Sequence, residues 1–309
     1  MKIFTKTGLD GPIFIIVAAI LWALDGVIRR YLYSLPPITI IFFEHLIGLI
    51  ILTPFIWKKL FTERINKKDV GLLVIIAILS GLLGTLWFTT ALLKVHFISF
   101  SVVFLLQKLQ PIFAIGSASI FLKEKLDKRY IKWALLAIVA AYFVTFKNGH
   151  VDLATGEGTI VAALYALGAA FAWGTSTTFS KMVLTKISFG VSTFYRFLFT
   201  SIITAFVILI LGYGNSLTLP TLGQFGLFTL IAVSTGMVAL VIYYRGLART
   251  PVHISTILEL TFPFIAIFID TVLYNSVLSL SQWVATFILV FAIYKVARLQ
   301  SYAVSSKTN

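Results

Sequence analysis

The sequence predicts an all-α membrane protein, with ten transmembrane helices arranged as two inverted five-helix repeats. Three observations carry this. Of 309 residues, 59% are hydrophobic and 12% are charged, against roughly 45–50% and 25% in soluble domains. The mean hydropathy is +1.00, and a water-soluble fold has no place for so much apolar surface, so lipid is the main solvent. The apolar residues fall in runs near the roughly 20 residues that span hydrocarbon as a helix, and the second half of the chain echoes the first.

The runs lie near residues 12–31, 38–57, 70–92, 97–122, 130–146, 158–180, 190–211, 222–245, 252–272 and 277–297. The first resembles a signal peptide, since Lys2 and Lys6 precede it. Trp22, Asp25, Arg29 and Arg30 then stand where a small-residue cleavage site is needed, so it reads as a membrane helix. Connections are short and carry Pro, Asn or charge, as at Leu35-Pro36-Pro37 and Lys123 to Arg129. The alternating strands of a barrel are absent, and helices satisfy their own backbone in lipid.

Lys and Arg set the orientation. Lys58, Lys59, Arg64, Lys67 and Lys68 share one loop, and Lys123, Lys125, Lys128, Arg129 and Lys132 surround another. Counted over alternate connections, nineteen lie on that side, against Arg29, Arg30, Lys94 and Lys147 opposite. Both termini are therefore expected in the cytoplasm. The net charge of +14 follows from this bias. No basic stretch has the context for nucleic acid, so none is expected as a partner. With no cysteine, disulfides, thiolate zinc sites and thiol nucleophiles are excluded.

The repeat is visible in motifs. Leu106-Gln107 and Pro111 to Ile115 match Leu258-Glu259 and Pro263 to Ile267, and Phe43-Glu44-His45-Leu46 matches Tyr195-Arg196-Phe197-Leu198, in both cases 152 residues apart. Five spans per repeat is odd, so the second copy runs inverted. That arrangement belongs to secondary transporters, with the substrate near the midplane.

These features resemble the EamA-like proteins of the drug/metabolite transporter superfamily. The residues that carry the resemblance are Trp22 and Trp173, Tyr195-Arg196-Phe197, and Gln107, Pro111 and Lys123-Glu124-Lys125. It covers residues 12–146 and 158–298 as two repeats. It implies transport of a small metabolite such as an amino acid, by export, across a bacterial inner membrane. The sequence departs from the family pattern at Glu44-His45 and at Gln107.

Ionisable groups inside spans are costly, about 2.5–3.5 kcal/mol each on insertion scales, and mark paths or sites. Matching depths, at about 1.5 Å per residue, pair Glu44 with Lys108 and Arg196 with Glu259, as gates or as fixed register locks. His45 beside Glu44 suggests proton coupling. Trp22, Trp87, Trp173 and Tyr195 are candidate lining residues, and Asp25 and Arg29 a pair at i,i+4. Ala162, Ala166, Ala170 and Gly174 read as a close helix contact. Pro111 and Pro263, in mid-span, read as hinges or fixed bends. Tyr243 and Tyr244 read as interfacial aromatics. No cofactor or metal is expected. The alternatives are a nucleotide-sugar or lipid carrier, or a membrane enzyme, although no metalloprotease, phosphate-loop or nucleophile-elbow motif is present.

Overall fold

The computed structural model describes residues 10–32, 34–94, 106–107, 109–150, 159–212, 220–274 and 278–308. Among them every regular element is helical. Asn66 accepts the Asp69 N–H at 2.9 Å and starts the helix from Lys67. Asp127 does the same for Lys128–Thr145, accepting from the Arg129 N–H. A reciprocal Thr221–Gln224 box opens Leu222–Val233. Each satisfies N–H groups that a helix start leaves free.

Among the described residues seven helices are long and apolar enough to cross a membrane: Asp10–Arg29, Pro37–Thr62, Lys67–Ala91, Ile160–Leu184, Phe189–Ile210, Leu222–Leu247 and Leu280–Leu299. Gln110–Leu122 and Val252–Ala266 are shorter apolar helices. Part of the expected fourth run lies outside the described residues.

The surface is the reverse of a soluble protein's. Phe55, Ile160 and Leu222 are 81%, 77% and 88% exposed, while Glu44 and His45 are buried. An apolar exterior over a polar interior needs lipid around it, and the chain is an integral membrane protein.

The two halves of the sequence interleave. Pro37–Thr62 packs along Phe189–Ile210, Asp10–Arg29 along Met237–Leu247, and Lys128–Thr145 along Leu280–Thr308. Thr159–Leu184 packs against Thr85–Lys94 and Gln110–Ser117. Small residues allow the approach. Ala162 and Ala166 cluster with Ala91, and a Cβ on Gly174 would stand 2.7 Å from the Gln110 carbonyl oxygen, so the small-residue stripe is a close helix contact. Trp173 lies over Gly84 and Trp87 lies over Gly168, at 2.4 and 2.8 Å from where a Cβ would be. Each tryptophan fills the notch that the facing glycine leaves.

The prolines differ from expectation. Pro111 opens Gln110–Ser117. Pro263 falls in the first turn of Thr261–Tyr274, just after a break at Glu259–Leu260. At a helix start the missing N–H costs nothing, so both prolines begin helices and neither kinks a continuous one.

Candidate functional site

Three helices lose regularity beside one hollow. Ala77–Gly84 widens into a π-helical stretch. Ser234–Gly236 separates Leu222–Val233 from Met237–Leu247. Glu259–Leu260 separates Val252–Leu258 from Thr261–Tyr274. Irregular backbone at membrane depth is tolerated where it lines a cavity. Ser80, Gly236 and Glu259 all line one hollow of about 410 Å³, the scale of a small-molecule site.

Trp22, Glu44, His45, Gln107, Pro111, Trp173, Arg196, Glu259 and Pro263 all reach this hollow. Lys108 lies outside the described residues. Trp87 and Tyr195 do not line it. Trp87 is spent on Gly168, and Tyr195 packs with Phe194 and Phe199 against the cluster of Leu73, Ile76 and Val191. The cavity neighbours are Phe88 and Arg196 instead, one residue and about 100° further round their helices.

Toward the end opposite the basic loops, Arg29 joins two carboxylates. Its Nε lies 2.6 Å from Asp25 and its Nη1 2.9 Å from Glu44. The Thr235 hydroxyl donates to Asp25 at 2.6 Å. Asp25 and Arg29 pair as expected, and the trio forms part of the cavity wall. Glu44 therefore has Arg29 as its partner. Next to it, His45 Nδ1 lies 2.8 Å from the Ile41 carbonyl oxygen and its ring packs on Phe197 at 4.7 Å.

Toward the basic end the pairing is sparser. Glu259 accepts from the Tyr243 hydroxyl at 2.6 Å and from Gln110 Nε2 at 3.0 Å. Arg196 donates Nη1 to the Tyr244 hydroxyl at 3.1 Å, and that hydroxyl also bonds Ser180. Arg196 and Glu259 are thus separately held, each by a tyrosine, and do not form the expected pair. Tyr243 and Tyr244 are 4% and 1% exposed; they are cavity residues and not interfacial ones. Four lining residues keep a buried polar atom without a partner among the described residues: Gln107 Oε1, Ser176 Oγ, Arg196 Nε and Thr256 Oγ1. Aromatic rings alternate with them, as Trp22 meets Tyr243 at 5.0 Å and Phe88 meets Trp173 at 5.3 Å.

First-half acids tie the second half at the basic end. Asp10 pairs with Arg249, Asp69 with Lys186 at 3.1 Å, and Glu63 accepts the Ser188 N–H. Glu124 accepts the Val252 and His253 N–H groups at 2.9 and 3.1 Å and pairs with the His253 ring. Burial raises the Glu124 carboxyl, but these hydrogen bonds outweigh it and hold the group below its ordinary value. Tyr130 donates to the His253 carbonyl oxygen, and Lys181 donates to those of Leu247 and Ala248. The cavity extends the other way, to Val27, Arg29, Thr89 and Ile269.

A family model described as the EamA-like transporter family matches residues 9–146 and again 160–298. The chain is 34% identical over 295 residues to a riboflavin transporter, ImpX, of Fusobacterium nucleatum, covering 94% of this chain and 98% of that protein. A solved crystal structure aligns with a TM-score of 0.74 at 14% identity, covering 95% of this chain and 98% of its own, and shows a shared fold. The family and the relative are transporters, not enzymes.

Proposed function

The chain belongs to the EamA-like transporter family, and from that premise we propose that it is a secondary transporter of riboflavin or a closely similar flat, hydroxylated heterocycle. The observation that carries this reading is the hollow between interleaved halves, rimmed by Trp22, Trp173, Phe88 and Tyr243 with unpartnered polar atoms between them. Aromatic faces suit a planar ring, and isolated donors and acceptors suit its edges. The riboflavin named for the relative has both. Amino-acid export, the substrate class that the sequence suggested, finds no support in that relative.

Ten spans as two inverted repeats, 12–146 and 158–298, supply the machinery in this reading. The substrate sits at the midplane and the repeats rock around it. Both termini are cytoplasmic, in a bacterial inner membrane. The contacts at the basic end, with the cavity reaching toward the opposite end, support an outward-facing state of that cycle. Protons drive it through Glu259, which is held by two neutral donors, while Glu44 beside His45 is paired with Arg29.

Proteoliposomes holding the purified protein test this. Uptake of riboflavin, with unlabelled riboflavin competing and amino acids not competing, is the expected result. Amino-acid flux without riboflavin flux overturns the substrate. An imposed pH gradient accelerates uptake by the native protein and leaves Glu259→Gln uptake unchanged. Persistence of the pH response in that variant removes Glu259 as the coupling group.

A further inference from the structure

The cavity is not uniform along its length. The end near Arg29 has hydroxyl and charged groups, Thr85, Thr89 and Thr235 among them. The end near Arg196 has a tighter aromatic floor of Tyr243, Tyr244 and Phe197, with Trp22 resting on Tyr243. Arg196 stands on that floor, its guanidinium 5.8 Å from the Tyr244 ring centre. One Nη is satisfied by Tyr244, and Nε is buried with nothing to donate to among the described residues. Ser176 and Thr256, both 1% exposed, bring unpartnered hydroxyls from two other walls.

A buried donor left without an acceptor is costly, about 1–3 kcal/mol and more when charged. A protein that keeps one in a substrate cavity leaves the partner to the substrate. A flavin ring offers carbonyl acceptors on either side of an imide N–H at its pyrimidine end, and carries a polyhydroxyl chain on N10 of its middle ring.

We infer that Arg196 is the specificity-determining donor of this transporter: its guanidinium, which lines the cavity and has no carboxylate bonded to it among the described residues, reads the carbonyl edge of the ring. This rests on the flavin reading above. It adds which group reads that edge.

Quenching of flavin fluorescence on binding to the purified, full-length protein tests it, with riboflavin and with lumiflavin, which has the ring and a methyl group in place of the chain. The native protein binds both. Arg196→Gln weakens both by the same factor, about 10- to 100-fold, the worth of a hydrogen bond to a charged group. Arg196→Lys keeps the charge and loses the fixed fork, and weakens both in parallel by a smaller factor. Thermal melting of the unliganded variants confirms that they are folded, and Arg196→Lys serves alone if Arg196→Gln is not. Weakening of riboflavin only, or of neither flavin, in a folded variant overturns the assignment while leaving the transported substrate intact. Failure of the native protein to bind either flavin overturns the substrate reading beneath it.

Discussion

Glu44 and Arg196 hold matching places in the two halves, 152 residues apart, in opposite electrostatic company. Glu44 sits in a closed trio in which Arg29 reaches both Asp25 and Glu44 and Thr235 completes the set. Arg196 has one tyrosine hydroxyl and an idle Nε, with no carboxylate bonded to it among the described residues. A satisfied buried network fixes helix positions, and removing one member leaves an uncompensated charge. An incomplete one contributes less to the fold and is open to a ligand. The comparison separates structure from recognition within a single cavity.

The largest expected effect falls on the closed trio. Arg29→Ala strands two buried carboxylates and lowers stability by about 3–5 kcal/mol, read as a fall in the melting temperature of the detergent-solubilised protein. Arg29→Ala and Glu44→Ala, made together, recover part of that loss. If Arg29→Ala melts with the native protein, the trio is not the fixed side of the comparison.

A middle effect falls on the latch at the basic end. Glu124→Ala frees two backbone N–H groups and the His253 ring, and costs about 1–3 kcal/mol. The sign of its pH dependence follows from the lowered carboxyl. A depressed acid lends stability above its unfolded value and loses it as pH falls through the folded one. The Glu124 contribution therefore stays intact from neutral pH down to the ordinary carboxylate value, declines below it, and is gone once pH falls under the lowered one. A difference in melting temperature between native protein and Glu124→Ala that does not shrink from pH 7 to about pH 5 checks this. A difference that vanishes in that interval contradicts it.

The smallest effect sharpens the contrast. Arg196→Gln changes the stability of the unliganded protein by less than about 1 kcal/mol, because the native group lacks a full set of partners. A loss as large as that of Arg29→Ala would make the two networks equivalent and erase the distinction.

The sequence exposed part of this arrangement. The cost of charge in lipid singled out Glu44, Lys108, Arg196 and Glu259; Lys108 lies outside the described residues, and the other three reach the cavity. Depth alone could not choose their partners. Arg29 lies at the end of a span and reads as the i,i+4 partner of Asp25; its second contact, to Glu44, exists only once the two helices pack. Tyr243 and Tyr244 look interfacial because they end an apolar run. Their hydroxyls engage Glu259, Arg196 and Ser180, contacts that exist only once three other helices are in place. Trp87 and Tyr195 share spans with true lining residues and miss the cavity by a single position. A notch at Gly168, visible only in the assembled bundle, decided the first. The prolines were found at the right depth, but the breaks beside them turn them into helix starts.

Glu124 belongs to a loop of the first half, yet it holds the beginning of the helix that ends at Glu259. The seven residues Val252–Leu258 form a short rigid lever between the two. In the transport reading, a displacement of the carboxylate at one end would be passed along this helix to the Glu124 clasp at the other. The pace of each transport cycle would then be governed by a contact that never meets the cargo, with turnover and apparent affinity free to evolve apart.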